Sequence, residues 1–294
     1  MTDKQASRTA VLVCQGRAVG DGRMAPGRFS DPVAVQLLRS EERSEVEHAR
    51  TESAPSGWRD RLGYEMLTAT ATVLVTRTVV IDDAVRAARN SQLVVLGAGL
   101  DARAWRMTEL SDVAVFEVDH PASQQDKRER ADGLEPVAKS LTYVPVDFGR
   151  DALGAALAGA GHDSAVATTW VWEGVLPYLT QPEVDSTLAV VAGRSAPGSR
   201  LIATYPVPYR LSGMGRRAMR VYSALSGAQN PLRHERHVSA WTPEQMHTLL
   251  VAQGFSVTAN EKLADTAREL SVPARAESRF YGLGCAVVAD RPAS

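Results

Sequence analysis

Between residues 90 and 205, short apolar runs alternate with polar, helix-forming stretches. Leu93-Val94-Val95-Leu96 is apolar at four consecutive positions, as a strand buried on both faces must be. Similar runs recur at Val113–Val118, Leu141–Val146, Ala165–Trp172 and Leu201–Tyr205. The stretches between them, Ala102–Thr108, Ser123–Ala131, Asp151–Ala158 and Gln181–Arg194, are predicted as helices. The last has Pro182 in its first turn and stops before Pro197-Gly198. Such alternation predicts a doubly wound parallel sheet. A helix from Thr242 to Ala252 and strands at Phe255–Thr258 and Gly282–Ala289 are expected to close it.

Upstream of residue 90 the pattern changes. From Thr9 to Leu38 it is mixed, and Gly20, Gly22, Pro26 and Gly27 argue against one long helix. Asp31-Pro32 is predicted to open a short helix through Leu38, with aspartate as cap and proline at the first helical position. Glu41–Glu52 is charged all round and reads as a solvated helix. Trp58–Arg89 contains no proline and predicts one or two helices leading into the first strand. The chain therefore divides into an N-terminal helical region, residues 1–90, and an α/β core, residues 91–294. Within the core, the basic, tyrosine-containing stretch 206–240 follows a strand's carboxyl end and is expected to act as a lid.

Charge and cysteine content narrow the function. The formal net charge is −1 over 294 residues with no block of like charge, which gives no electrostatic basis for a nucleic-acid or membrane partner. No uninterrupted apolar run approaches the roughly 20 residues that span a bilayer. The N-terminus lacks the basic-then-apolar pattern of a secretory signal, so a cytoplasmic protein is expected. The two cysteines, Cys14 and Cys285, have no metal-ligand spacing, and no metal site is expected.

The candidate chemistry gathers at the strand ends. Gly97 and Gly99, flanking Ala98, follow the first strand at the edge where open α/β sheets place ligands. Twenty residues beyond Gly99, Asp119 ends the second strand, where a carboxylate can accept from both hydroxyls of a ribose. Gly97-x-Gly99-x-x-Ala102 fits NAD and S-adenosylmethionine (SAM) equally, and a ligand-free strand-to-helix turn can carry the same pattern. Asp147-Phe148 and Glu173 end the third and fourth strands. Acids there suit an adenine amino group and the positive end of SAM, although strand-end acids also serve as helix caps.

Several motifs together resemble the leucine carboxyl methyltransferase-like family of SAM-dependent enzymes, including its natural-product O-methyltransferases. They are Thr9-Ala10 with Arg17-Ala18, Phe29-Ser30-Asp31-Pro32, and Arg77-Thr78-Val79-Val80-Ile81-Asp82-Asp83. They continue with Leu96-Gly97-Ala98-Gly99-Leu100-Asp101-Ala102-Arg103, Phe116-Glu117-Val118-Asp119-His120-Pro121, Val146-Asp147-Phe148 and Trp172-Glu173-Gly174-Val175-Leu176-Pro177-Tyr178-Leu179. The resemblance implies a Rossmann-like class I SAM methyltransferase sheet of seven strands, the last antiparallel. It implies that Gly97, Ala98 and Gly99 line the methionine part of SAM, Asp119 and His120 the ribose side, and Asp147 with Phe148 the adenine. Glu173 would lie near the amino group, Arg77 would pair with the carboxylate, and Arg17 is the candidate N-terminal base reaching the cofactor.

On this reading the protein is an O-methyltransferase acting on a carboxylate or phenolic hydroxyl of a small natural-product-type acceptor. A NAD-dependent oxidoreductase and a non-catalytic SAM-binding protein are the alternatives. Tyr178, Tyr209 and Tyr222 are candidate acceptor contacts. A phenol would need a base, for which His234 and His237 are the candidates; a carboxylate needs orientation alone. Arg216, Arg217 and Arg220 in the lid could offset an acceptor's negative charge.

Overall fold

In the computed structural model, described for residues 8–51, 57–208, 239–272 and 284–293, five strands follow the alternation read along the chain. They are β1 (Gln92–Leu96), β2 (Ala114–Asp119), β3 (Ser140–Pro145), β4 (Thr168–Trp172) and β5 (Arg200–Tyr205). Two more, β6 (Ser256–Lys262) and β7 (Cys285–Asp290), complete a seven-stranded sheet of order β3-β2-β1-β4-β5-β7-β6. β1 to β5 pair in parallel, and β7 runs antiparallel to both β5 and β6. The order reverses between β1 and β4, which opens a crevice at their carboxyl ends.

Two-sided burial explains the apolar runs. Every residue of β1 and β4 is buried. Leu93 and Val95 face one core, shared with the N-terminal helices. Val94 and Leu96 face the other, with Phe116, Trp170 and Trp172. The second core is covered by α6 (Leu153–Gly159), α7 (Gln181–Gly193) and the helix Pro243–Ala252.

The N-terminal region departs from expectation in two places, residues 31–38 and 40–50. Residues 8–20 form one helix, α1 (Arg8–Gly20), packed against the helix Trp58–Ala88, α3. A Cβ at Gly16 would lie 2.4 Å from Leu74 Cδ1, and one at Gly20 would lie 2.3 Å from Val75 Cγ2. These two glycines permit close helix approach, and the helix ends at Gly20, so no single long helix runs from Thr9 to Leu38. Residues 31–38 form successive turns with no helix. Asp31 Oδ1 accepts from the Ala34 N–H at 3.0 Å, as a cap does, while its Oδ2 is ion-paired with Arg17; the cap contact is made, but only turns follow it. α2 (Ser40–Arg50) is not solvated all round, because Val46 and Ala49 are buried. Trp58–Ala88 is a single 31-residue helix, α3. Its stretch Gly63–Ala88 is long and apolar enough to cross a bilayer, yet 71% of the apolar window is buried within the fold, as a core helix requires.

Candidate cofactor and active site

The turn after β1 is built around Gly97. Its φ of +68° lies in the left-handed region, and a Cβ there would stand 2.2 Å from Val175 Cγ2, so no larger residue fits without displacement. The Gly97 and Ala98 N–H groups donate to the Val118 carbonyl at 2.8 and 3.0 Å, tying the loop to β2. Asp119 accepts from Gly99 N–H through Oδ2 and from His120 N–H through Oδ1, each at 2.6 Å. A carboxylate offers about four acceptor positions, so each oxygen keeps capacity for a ligand hydroxyl. Burial raises the Asp119 carboxyl above its ordinary value, against the pull of those two N–H donors. His120 caps α5 (Pro121–Arg130), its Nδ1 accepting from Ala122 N–H at 3.2 Å.

At the end of β3, Asp147 shapes a turn. Its Oδ1 accepts from Gly149 N–H at 3.0 Å, and its own N–H donates to Asp151 Oδ2 at 2.8 Å. α6 starts later, with Ala152 at its N-cap, so Asp147 is not a helix cap. Phe148 packs partly into the second core.

At the end of β4 the structure brings together residues that the resemblance assigned separately. Glu173 Oε1 accepts from Arg77 Nε at 2.7 Å, and its Oε2 accepts from Arg103 Nη1 at 3.0 Å. Arg103 also pairs with Asp82 at 2.8 Å and with Asp101. Arg106 joins Asp82 at 2.7 Å and Asp31 at 3.5 Å. Arg17 pairs with Asp31 at 2.9 Å and donates to the Leu100 carbonyl at 2.5 Å. Four arginines and four acids thus form one charge-balanced network. Burial alone would raise the Glu173 carboxyl, but the Arg77 and Arg103 guanidiniums outweigh it and hold it at about 2. Asp101 is held still further below the usual range, mainly by Arg103 over the opposing effect of burial. Arg17 reaches the cavity wall, but Asp31 and Leu100 hold its guanidinium. There it anchors α1 to the glycine loop from a position on the cavity wall.

These groups line one cavity of about 780 Å³. Arg77, Gly97, Ala98, Gly99, Asp119, His120, Asp147, Phe148, Glu173 and Tyr178 all contribute to its wall. Beyond β4 the cavity continues along the same sheet edge past Tyr205, Pro206, Leu263 and Cys285, over Leu12 and Val13 of α1. Thr70, Val73, Leu74 and Arg77 line it from α3. Of this wall the sequence indicated Arg77 alone, although the i, i+3, i+4, i+7 spacing of those four positions on α3 was a readable signal for the others. The Tyr205 hydroxyl donates to Asn260 Oδ1 at 2.5 Å. Among the described residues, His120 is the histidine on the cavity wall. Tyr209, Tyr222, His234, His237, Arg216, Arg217 and Arg220 lie outside the described residues, as does most of the stretch 206–240.

The model of the family described as leucine carboxyl methyltransferase matches residues 10–192. A Streptomyces avermitilis protein, assigned provisionally by name to the S-adenosyl-L-methionine-dependent methyltransferases, is 35% identical over 228 residues, 73% of this chain and 74% of that one. Relatives with the same provisional assignment occur in Streptomyces coelicolor and Mycobacterium tuberculosis. The first is 35% identical over 66% of both chains; the second is 36% identical over 66% of this chain and 64% of its own. The match thus spans just under two thirds of some relatives' length. Among solved structures, a Thermobifida fusca protein described provisionally as a methyltransferase superposes with a TM-score of 0.56, at 17% identity over 99% of this chain and 96% of that one. A DUF574 family protein from Streptomyces avermitilis gives 0.57, at 11% identity over 98% of both chains.

Proposed function

Because the chain belongs to the leucine carboxyl methyltransferase family of SAM-dependent methyltransferases, we propose that it methylates an oxygen of a small, natural-product-type acceptor. The oxygen is a carboxylate or a phenolic hydroxyl. One observation carries this reading: a single cavity joins the acids ending β2, β3 and β4 to a neutral region beyond β4. Ligands of this size are commonly held in cavities of about 300–1,000 Å³, and this one accommodates a nucleoside with a second small molecule beside it.

SAM when bound supplies a methyl group already activated by a sulfonium. The protein's own residues bind and orient. Asp119 takes the ribose hydroxyls with its remaining acceptor capacity, and Asp147 with Phe148 takes the adenine by hydrogen bond and ring contact. Glu173 takes the ammonium of the amino-acid tail, and Arg77 its carboxylate, for which the guanidinium fork is suited. A cofactor with a pyrophosphate at this position would set phosphate oxygens against the ionised Glu173, which disfavours the NAD reading. The neutral wall of Tyr205, Pro206, Leu263 and Cys285 orients an acceptor and limits water, which suits a transfer dependent mainly on alignment. That wall also favours catalysis over cofactor binding alone. A cytoplasmic enzyme with a small-molecule partner, rather than a nucleic acid or a membrane, fits these features.

The test is transfer of labelled methyl from SAM to a panel of small carboxylic acids and phenols. Label is expected in the small-molecule fraction, as an alkali-labile ester or an alkali-stable ether. Label found only on nitrogen, carbon or macromolecules would overturn the reading.

A further inference from the structure

We propose that Arg103 is a positioning residue for the amino-acid tail of the cofactor, acting through Glu173. The inference rests on the cofactor reading above and goes beyond it, since Arg103 is absent from the cavity wall. Its side chain is 2% exposed and sits between three acids, Asp82, Asp101 and Glu173. Glu173 divides its two oxygens between unlike partners. Oε1 goes to Arg77, which faces the cavity from α3, and Oε2 goes to Arg103, which is anchored by Asp82 and Asp101.

This asymmetry assigns the two arginines different parts. When a zwitterionic tail enters, Arg77 exchanges Glu173 for the ligand carboxylate, and Glu173 exchanges Arg77 for the ligand ammonium. One internal ion pair becomes two pairs with the ligand, and the buried charge stays balanced throughout. The exchange works only if Glu173 remains ionised and in place while Arg77 turns away. Arg103 meets both needs, because its fork holds Oε2 from below while Asp82 and Asp101 keep the fork from following Arg77. Ionised Glu173 without that support would be a carboxylate leaving water with half its partners missing.

Two ligands separate positioning from general structural support. S-adenosylhomocysteine carries the amino-acid tail; 5′-methylthioadenosine has the same nucleoside without it. Arg103→Met is combined with Asp82→Asn, so that one positive and one negative charge leave together and the net charge of the buried network is unchanged. In the full-length double variant, titration calorimetry is expected to show the affinity for S-adenosylhomocysteine falling about tenfold or more, the scale of one lost charge-assisted contact. The affinity for 5′-methylthioadenosine is expected to stay within about threefold. Arg103→Lys keeps the charge but cannot span Asp82 and Glu173 with a fork, so its ratio of the two affinities should lie between the wild-type and double-variant values; it carries the comparison if the double variant does not fold. Equal losses for both ligands, or an unchanged ratio in a folded variant, would overturn the proposal. If the wild-type protein binds neither ligand, the cofactor reading itself fails.

Discussion

The two halves of the sheet's carboxyl edge are built on different principles. From β3 to β4 the strand ends present Asp147, Asp119 and Glu173, each fixed by hydrogen bonds or ion pairs before any ligand is considered. From β5 to β6 the same edge presents Tyr205, Pro206, Cys285 and Leu263, with no charged side chain on that part of the wall among the described residues. On the proposed function, the first half would recognise by charge and hydrogen bonding, which demands particular residues at particular strand ends. The second would recognise by shape and apolar contact, which many residue combinations satisfy. Cofactor identity would then concentrate in a few positions, and acceptor identity would be spread over a surface.

The sharpest way to break this contrast is Asp119→Ala. Losing the contacts to two ribose hydroxyls should weaken S-adenosylhomocysteine binding by roughly one to three decades. Ligand-free stability should fall by no more than about 2 kcal/mol, the net value of the two backbone bonds that Asp119 accepts. A stability collapse with affinity unchanged would make Asp119 a structural residue and erase the distinction. Next in size is Gly97→Ala. The left-handed φ costs about 1–2 kcal/mol, and the overlap with Val175 adds about 1–3 kcal/mol on top. Gly133→Ala is the control. It has a φ of +78° but nothing within 4 Å of the added Cβ, and should cost the backbone part alone. Equal losses at the two sites in denaturant unfolding would show that Val175 yields freely.

Acidity sharpens the comparison further. The Asp119 carboxyl is raised above 3.8, the ordinary aspartate value, whereas Glu173 is held at about 2. As pH falls, Asp119 protonates first and loses acceptor capacity for the ribose, while Glu173 stays ionised. Affinity for S-adenosylhomocysteine and for 5′-methylthioadenosine should therefore decline together, beginning above pH 3.8, and Asp119→Ala should flatten the decline. Loss of the first ligand with retention of the second would instead place the titrating acid at the tail. The smallest effect is expected in the neutral half. Tyr205→Phe removes the hydrogen bond to Asn260 and should cost about 0.5–1.5 kcal/mol of stability, with S-adenosylhomocysteine affinity changed less than about twofold.

How much could be read beforehand follows the same divide. Strands buried on both faces leave a continuous apolar signature, so β1, β2, β4 and β5 were legible with boundaries only slightly displaced, whereas the partly exposed edge strand β3 was legible from its place in the strand–helix alternation. Gly97, Asp119, Asp147 and Glu173 could be placed on the cavity wall because each lies at a strand's carboxyl end or within two residues of it. The pairing of Arg77 with Glu173 was not, since 96 residues separate them and only the packing of α3 over the sheet brings them together. Asp31-Pro32 carried a strong local helix-start signal, and Asp31 does accept from the Ala34 N–H, but its other oxygen joins the buried network through Arg17 and the segment continues as turns, a tertiary role that the local signal does not contain. Gly16 and Gly20 look like breakers in one dimension, yet they are contact points once α3 lies against α1.

If this edge of the sheet holds SAM through its charged half, isothermal titration of the protein with S-adenosylhomocysteine should give a dissociation constant in the micromolar range or tighter, about −8 kcal/mol or better, and titration with NADH should show no binding. Tight binding of NADH with no response to S-adenosylhomocysteine would assign the charged half to a different cofactor.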